Sequence, residues 1–99
     1  MNSEKNEIVI GIAWWRREQW ERLLQISEDA DSQYDSYDEW LADAEKNLAG
    51  GVNGISGEKV DIDVEELLAW CNEKGLAVNG QSRAQYVAKV LRSRDMDRV

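Results

Sequence analysis

Hydrophobic positions along the chain change period several times, and each change marks a candidate element. From Ile8 the chain is apolar without a break through Trp15, in a run rich in β-branched residues. That run predicts a strand over residues 8–15, central in a sheet and covered on both faces. Alternation assigns Ile8, Ile10, Ile12 and Trp14 to one face, and Val9, Gly11, Ala13 and Trp15 to the other. The second face is small at Gly11 and Ala13, so a helix can approach it closely.

A helical period follows, with Trp20, Leu23, Leu24 and Ser27 at i, i+3, i+4 and i+7, predicting a helix over residues 17–28. The stretch "EDADSQYD" then reads as a loop. Ser36 with Glu39 forms a capping box for a second helix, whose apolar face is Tyr37, Trp40, Leu41, Ala44 and Leu48 and whose stop is Gly50-Gly51. "GGVNGISG" predicts a flexible or tightly turned connection. "EKVDIDV" alternates, with Val60, Ile62 and Val64 on one side and Asp61 and Asp63 on the other, as in a half-exposed strand.

Asp63 also stands where it can cap a third helix, with Val64, Leu67, Leu68 and Cys71 inward, Trp70 beside them and Gly75 as the stop. Ser82 with Gln85 predicts a second capping box, starting a last helix that turns Ala84, Val87, Ala88 and Leu91 inward and runs to about Arg94.

These elements compose one domain of α/β (or α+β) class: strand, helix, helix, strand, helix, helix. A small sheet of two or three strands is packed by about four helices, with residues 1–7 and 95–99 as frayed tails. Parallel pairing of the strands calls for a right-handed crossover. Two strands are few for a stable sheet, so either residues 76–78 add an edge or a second chain extends it. A homodimer is one expectation.

Charge and composition narrow the function. The chain has 99 residues, of which 42% are hydrophobic and five are tryptophan, as in a folded globular domain. Twenty acidic against twelve basic residues leave a net charge of −8, which disfavours direct nucleic-acid binding. Histidine is absent, and the single cysteine, Cys71, supports neither an internal disulfide nor a metal motif. No apolar run reaches the length of a membrane span, and the polar start has no leader pattern, so a cytoplasmic location is expected.

No metal or cofactor is expected either. An EF-hand counted from Asp29 meets Tyr34 where glycine is required and Trp40 where glutamate is required. The glycines at Gly51, Gly54 and Gly57 lack both the phosphate-loop ending and the dinucleotide-binding spacing. Ser56 has no histidine to activate it, and Cys71 faces the apolar side of its helix. The chain therefore reads as not an enzyme.

At "IAWWRREQWERLL", "YDEWLADAE" and "VDIDVEELLAWCNEKGL" the chain resembles a group of short uncharacterised bacterial proteins. Their shared pattern is a strand ending in Ile-Ala-Trp, an arginine-rich helix start, a Tyr-Asp/Glu-Glu-Trp-Leu helix and an Asp-Ile-Asp step. The resemblance covers most of residues 8–91. It implies a bacterial, cytosolic protein and carries no activity, ligand or catalytic residue.

Two surfaces stand out. Arg16 and Arg17 follow Trp14 and Trp15 at a helix start, where the dipole disfavours cations and no capping side chain stands nearby. Either an anion such as phosphate is held there by the arginine forks, stacked against Trp14 or Trp15. Or the arginines pair internally with Glu18, Glu21 or the acidic stretch at 28–38, laying their stems on tryptophan faces. The last helix carries Arg83, Lys89, Arg92 and Arg94 without an acid among them, a face suited to an acidic partner or to a second copy. Three functions follow: a protein-interaction module with an unknown partner or with itself, an anion-binding domain at the Trp14, Trp15, Arg16 and Arg17 corner, or an acidic decoy of nucleic acid.

Overall fold

β1 (Val9–Trp14) and β2 (Ser56–Asp61) pair in parallel, with Gly11 opposite Glu58 and Ala13 opposite Val60. This two-stranded sheet sits inside a computed structural model that describes residues 9–32 and 34–97. Between the strands run a 3-10 turn (Arg17–Gln19), α1 (Trp20–Ile26), a second 3-10 turn (Ala30–Ser32) and α2 (Tyr37–Gly50); after β2 come α3 (Val64–Lys74) and α4 (Gly80–Asp97). The domain is thus mixed α/β, with four α-helices around a two-stranded parallel sheet.

The two faces of the sheet carry different helices. A Cβ on Gly11 would stand 2.9 Å from Val87 Cγ1 and 3.4 Å from Leu91 Cδ2, so α4 lies on the small face of β1, as its glycine permits. On the other face Gly57 lies under Ile12 and near the Asn47 carbonyl, and Trp14 meets Trp40 edge-on at 5.5 Å, so α2 covers that side. The fully buried side chains Leu23, Val60, Ile62, Val64, Leu67 and Cys71 form the centre of the core, at the carboxyl ends of the strands where α1 and α3 meet.

Several expectations are corrected. β1 is not a fully covered central strand: all six of its residues are only half-buried, and among the described residues no strand pairs with its outer edge. Ile8 lies outside the described residues, and Trp15 follows the strand. The first helix is shorter than the 17–28 period suggests. Its start is a 3-10 turn, because Arg16 supplies no capping side chain, and Ser27 leaves it to bridge Val78. The second strand begins two residues earlier and ends at Asp61, since Asp63 caps α3 by accepting from the Glu65 and Glu66 amides. Val64 therefore opens α3 while keeping the burial that alternation gave it.

Residues 76–78 add no strand to the sheet; Val78 makes a single parallel bridge with Ser27. α4 starts at Gly80 rather than Ser82, for Asn79 is the cap. The Asn79 amide donates to Ser82 Oγ (3.0 Å), and the Ser82 amide donates to Asn79 Oδ1 (3.0 Å). Ser82 is thus the interior half of the box. The inward face of α4 is rotated accordingly: Tyr86 and Val87 are buried, while Ala84 and Ala88 are exposed. Residues 95–97, expected to fray, continue α4; residues 1–7, 98 and 99 lie outside the described residues.

The glycine-rich connection resolves into a tight turn. Val52 and Ile55 exchange both backbone hydrogen bonds (2.8 and 2.9 Å) around Asn53 and Gly54, whose φ values are +52° and +80°. Asn-Gly at those two positions is the pairing that a two-residue turn of this hand demands.

Candidate functional site

The corner after β1 is a closed network. Arg16 donates from Nη2 and Nε to the two carboxylate oxygens of Asp61 (2.7 and 3.2 Å) and from Nη1 to Asp63 (3.2 Å). The bidentate geometry suits a guanidinium fork, and it bridges two carboxylates that would otherwise repel each other. The Arg16 hydrogen bond holds Asp61 below its ordinary carboxylate value. For Asp63 the amides of the α3 first turn are the main cause of the same shift, with Arg16 and Gln19 adding to them. Gln19 Oε1 also accepts from the Val64 amide (2.9 Å), so the amides of Val64, Glu65 and Glu66 at the start of α3 are all satisfied by protein groups.

Arg17 pairs with Asp38 (2.7 Å) and lies over the Tyr37 ring at 4.5 Å, while the Tyr37 hydroxyl donates to the Trp15 carbonyl (2.8 Å). Trp14, Trp20, Tyr37 and Trp40 form a contiguous ring cluster, and Lys59 Nζ caps Trp14 at 4.5 Å. Both arginines thus have carboxylate partners, and Asp38 belongs to the acidic stretch expected for one of them. Asp61 and Asp63, 45 and 47 residues beyond Arg16, come from β2 and the α3 cap. An anion at this corner would have to compete with three carboxylates already in place.

The four cations of α4 do not act as one face. Arg83, only 11% exposed, clamps Asp29 through both terminal nitrogens (2.9 Å each) and donates to Ser27 Oγ (3.2 Å). That clamp holds the Asp29 carboxyl below its usual range. Arg94 reaches Glu58 (2.8 Å) and the Lys59 carbonyl (3.2 Å). Lys89 lies over the Tyr86 ring at 5.9 Å. Arg92 has no carboxylate partner among the described residues.

Arg92 instead borders an open groove of about 780 Å³ between β1 and α4. One wall is the strand itself, from Val9 to Ala13; the floor is α4, at Ala84, Val87, Ala88 and Leu91; Arg83 and Arg92 stand along it. The Trp14 carbonyl points toward β2, where it accepts from the Ile62 amide (3.3 Å). By the alternation of a strand, Val9, Gly11 and Ala13 therefore direct their N–H and C=O groups away from β2, to the outer edge beside the groove. Such unpaired edges are templates for another strand.

Sequence reading placed Gly11 and Ala13 correctly against a helix, yet missed the groove. Its signal is the small residues Gly11 and Ala13 on the strand and Ala84 and Ala88 on the helix, which alone does not distinguish close packing from a vacancy. Arg16 and Arg17 are paired with carboxylates, the ring under Arg17 is Tyr37 and the cation over Trp14 is Lys59. Of the last-helix cations, Arg83 and Arg94 go to different carboxylates, Lys89 to the Tyr86 ring, and Arg92 to no carboxylate among the described residues. Among the described residues no group of three or more metal-ligating side chains occurs, and no helix is long and apolar enough to cross a membrane. In comparison with known proteins, no family model, no curated protein and no solved structure matches this chain.

Proposed function

We propose that this chain is a small, non-enzymatic protein-interaction module that receives an extended segment of a partner in the groove between β1 and α4. The observation that carries the reading is the edge of β1 left unpaired among the described residues, beside the groove that the strand forms with α4. Strand addition supplies affinity through backbone hydrogen bonds and selectivity through side chains on alternate positions. The corner at Trp14, Trp15, Arg16 and Arg17 serves in this reading as the brace that fixes the end of β1 against α2 and α3. The module works in the cytosol of a bacterium and needs no cofactor.

Affinity capture with the tagged full-length chain tests this. Ala88 is exposed on the groove floor, so Ala88→Arg fills the groove without touching the core. Wild type should enrich a partner from lysate and Ala88→Arg should lose it, with thermal unfolding unchanged. Enrichment that is indifferent to Ala88→Arg would overturn the assignment.

A further inference from the structure

Resting on that reading of the groove, we infer that its occupant is an extended peptide of another protein, with apolar side chains on every second position and a carboxylate beside Arg92. The first argument is charge. Among the described residues the groove is lined by two cations and no acid, on a chain whose net charge is −8. Arg83 is already matched by Asp29, so that end asks nothing of a ligand. Arg92 is unmatched among the described residues, and one carboxylate would complete it.

The second argument is direction. α4 runs against the strands, since Tyr86 near its start meets Trp70 of α3, the helix that follows the end of β2, while Arg94 near its end reaches Glu58 early in β2. Arg92 therefore lies toward the Val9 end of β1, and the ligand's acid belongs at that end. Side chains two and four positions beyond the acid along the added strand share its face. They meet Val87, Leu91, Ala88 and Ala84, whose small members leave room for β-branched groups.

A second copy fits less well. Two β1 edges paired about a dyad normal to the sheet would stand about 4.8 Å apart. α4 packs on the face of β1, with Val87 and Leu91 against Gly11, so such a dyad would bring the two α4 helices together on one face of the joined sheet, where they would crowd each other. A peptide strand brings no such helix.

The test uses the full chain labelled for NMR and two blocked hexapeptides, Glu-Thr-Val-Thr-Val-Thr and its reverse, each with a counterpart carrying Lys for Glu. One acidic orientation should bind saturably, shift the amides of Val9, Gly11 and Ala13, and slow their exchange with solvent. An N-methylated version should lose the effect. Arg92→Glu should weaken the acidic peptide about tenfold and invert the preference toward the lysine peptide. Equal binding of the acidic and lysine peptides, or no shift with any of them, overturns the inference. Sedimentation showing a dimer that buries the β1 edge also overturns it, yet leaves the groove an interface; a monomer whose partner capture ignores Ala88→Arg removes the underlying reading as well.

Discussion

Arg16 and Asp61 are locked together as a fork on a carboxylate, Nη2 to Oδ2 at 2.7 Å and Nε to Oδ1 at 3.2 Å, across 45 residues of chain. Because the fork is filled, inorganic phosphate should not raise the melting temperature of the wild-type protein at neutral pH. Asp61→Asn removes the competing charge, and the freed guanidinium should then give a phosphate-dependent rise, lost again when Arg16→Ala is added. A wild-type melt that climbs with phosphate would show that the fork exchanges partners readily.

Acid should unfold the protein through a small set of aspartates. Asp29, Asp61 and Asp63 are all held below their ordinary value, by Arg83, by Arg16 and by the α3 amides respectively. A carboxylate lowered in the folded state adds stability above its unfolded value of about 3.9, and that stability drains as pH falls through the lowered value. Urea midpoints should therefore hold from neutral pH down to about 5 and decline below about 4. Arg83→Met should flatten that decline, because it removes the chief cause of the Asp29 shift. At the other extreme, burial raises Tyr86, so its contribution holds below about pH 10 and is lost as pH climbs beyond.

The α2 and α3 helices were legible because their punctuation is local. Ser36 accepts from the Glu39 amide, Asp63 from Glu65 and Glu66, and Gly75 adopts the left-handed conformation that ends α3. What escaped depends on distant partners. Ser82 looks like a cap with Gln85, but its hydroxyl also donates to the Ala77 carbonyl, and Gly80 is drawn into the helix by an Asp29 oxygen accepting from its amide. The cations of α4 look like one basic face until Asp29 and Glu58, 54 and 36 residues away, claim two of them. The apolar run of β1 predicts coverage of its faces, which α2 and α4 supply, yet faces carry no information about an edge.

Two adjacent glycines at the end of α2 should respond in opposite ways. Gly51 has φ +77° and ψ 175°, a region essentially reserved for glycine, and a Cβ there would come within 2.8 Å of the Ile55 carbonyl oxygen. Gly51→Ala should cost about 1–3 kcal/mol. Gly50 is helical with nothing within 4 Å of an added Cβ, so Gly50→Ala should be neutral or stabilise by up to about 1 kcal/mol. Chemical denaturation of the two variants reads the contrast directly, and equal effects would mean that the turn at 52–55 is not held as described.

The start of α4 offers a similar discrimination. Ser82 is 3% exposed and its hydroxyl serves both the Asn79 amide and the Ala77 carbonyl. Ser82→Ala should therefore cost about 1–3 kcal/mol, the penalty of stranding buried polar groups. Gln85, the partner that spacing alone would choose, is exposed, and Gln85→Ala should change stability by no more than about 0.5 kcal/mol. A large loss at Gln85 with none at Ser82 would restore the later helix start.

Gly11 sets how closely α4 approaches the sheet, and thereby the depth of the groove. A methyl group at Gly11 would lie 2.9 Å from Val87 Cγ1 and 3.3 Å from Val60 Cγ2, both branched directly at the β-carbon and buried, so neither can swing aside. The overpacking cost of about 1–3 kcal/mol then exceeds the about 0.4–1 kcal/mol gained by restricting the unfolded chain. Gly11→Ala should destabilise on balance. Val87→Ala, costly alone because it empties a buried site, should cost less when Gly11→Ala is present, since the new methyl occupies part of the space. A double-mutant cycle in urea measures that coupling, and strict additivity would mean that α4 does not rest on Gly11.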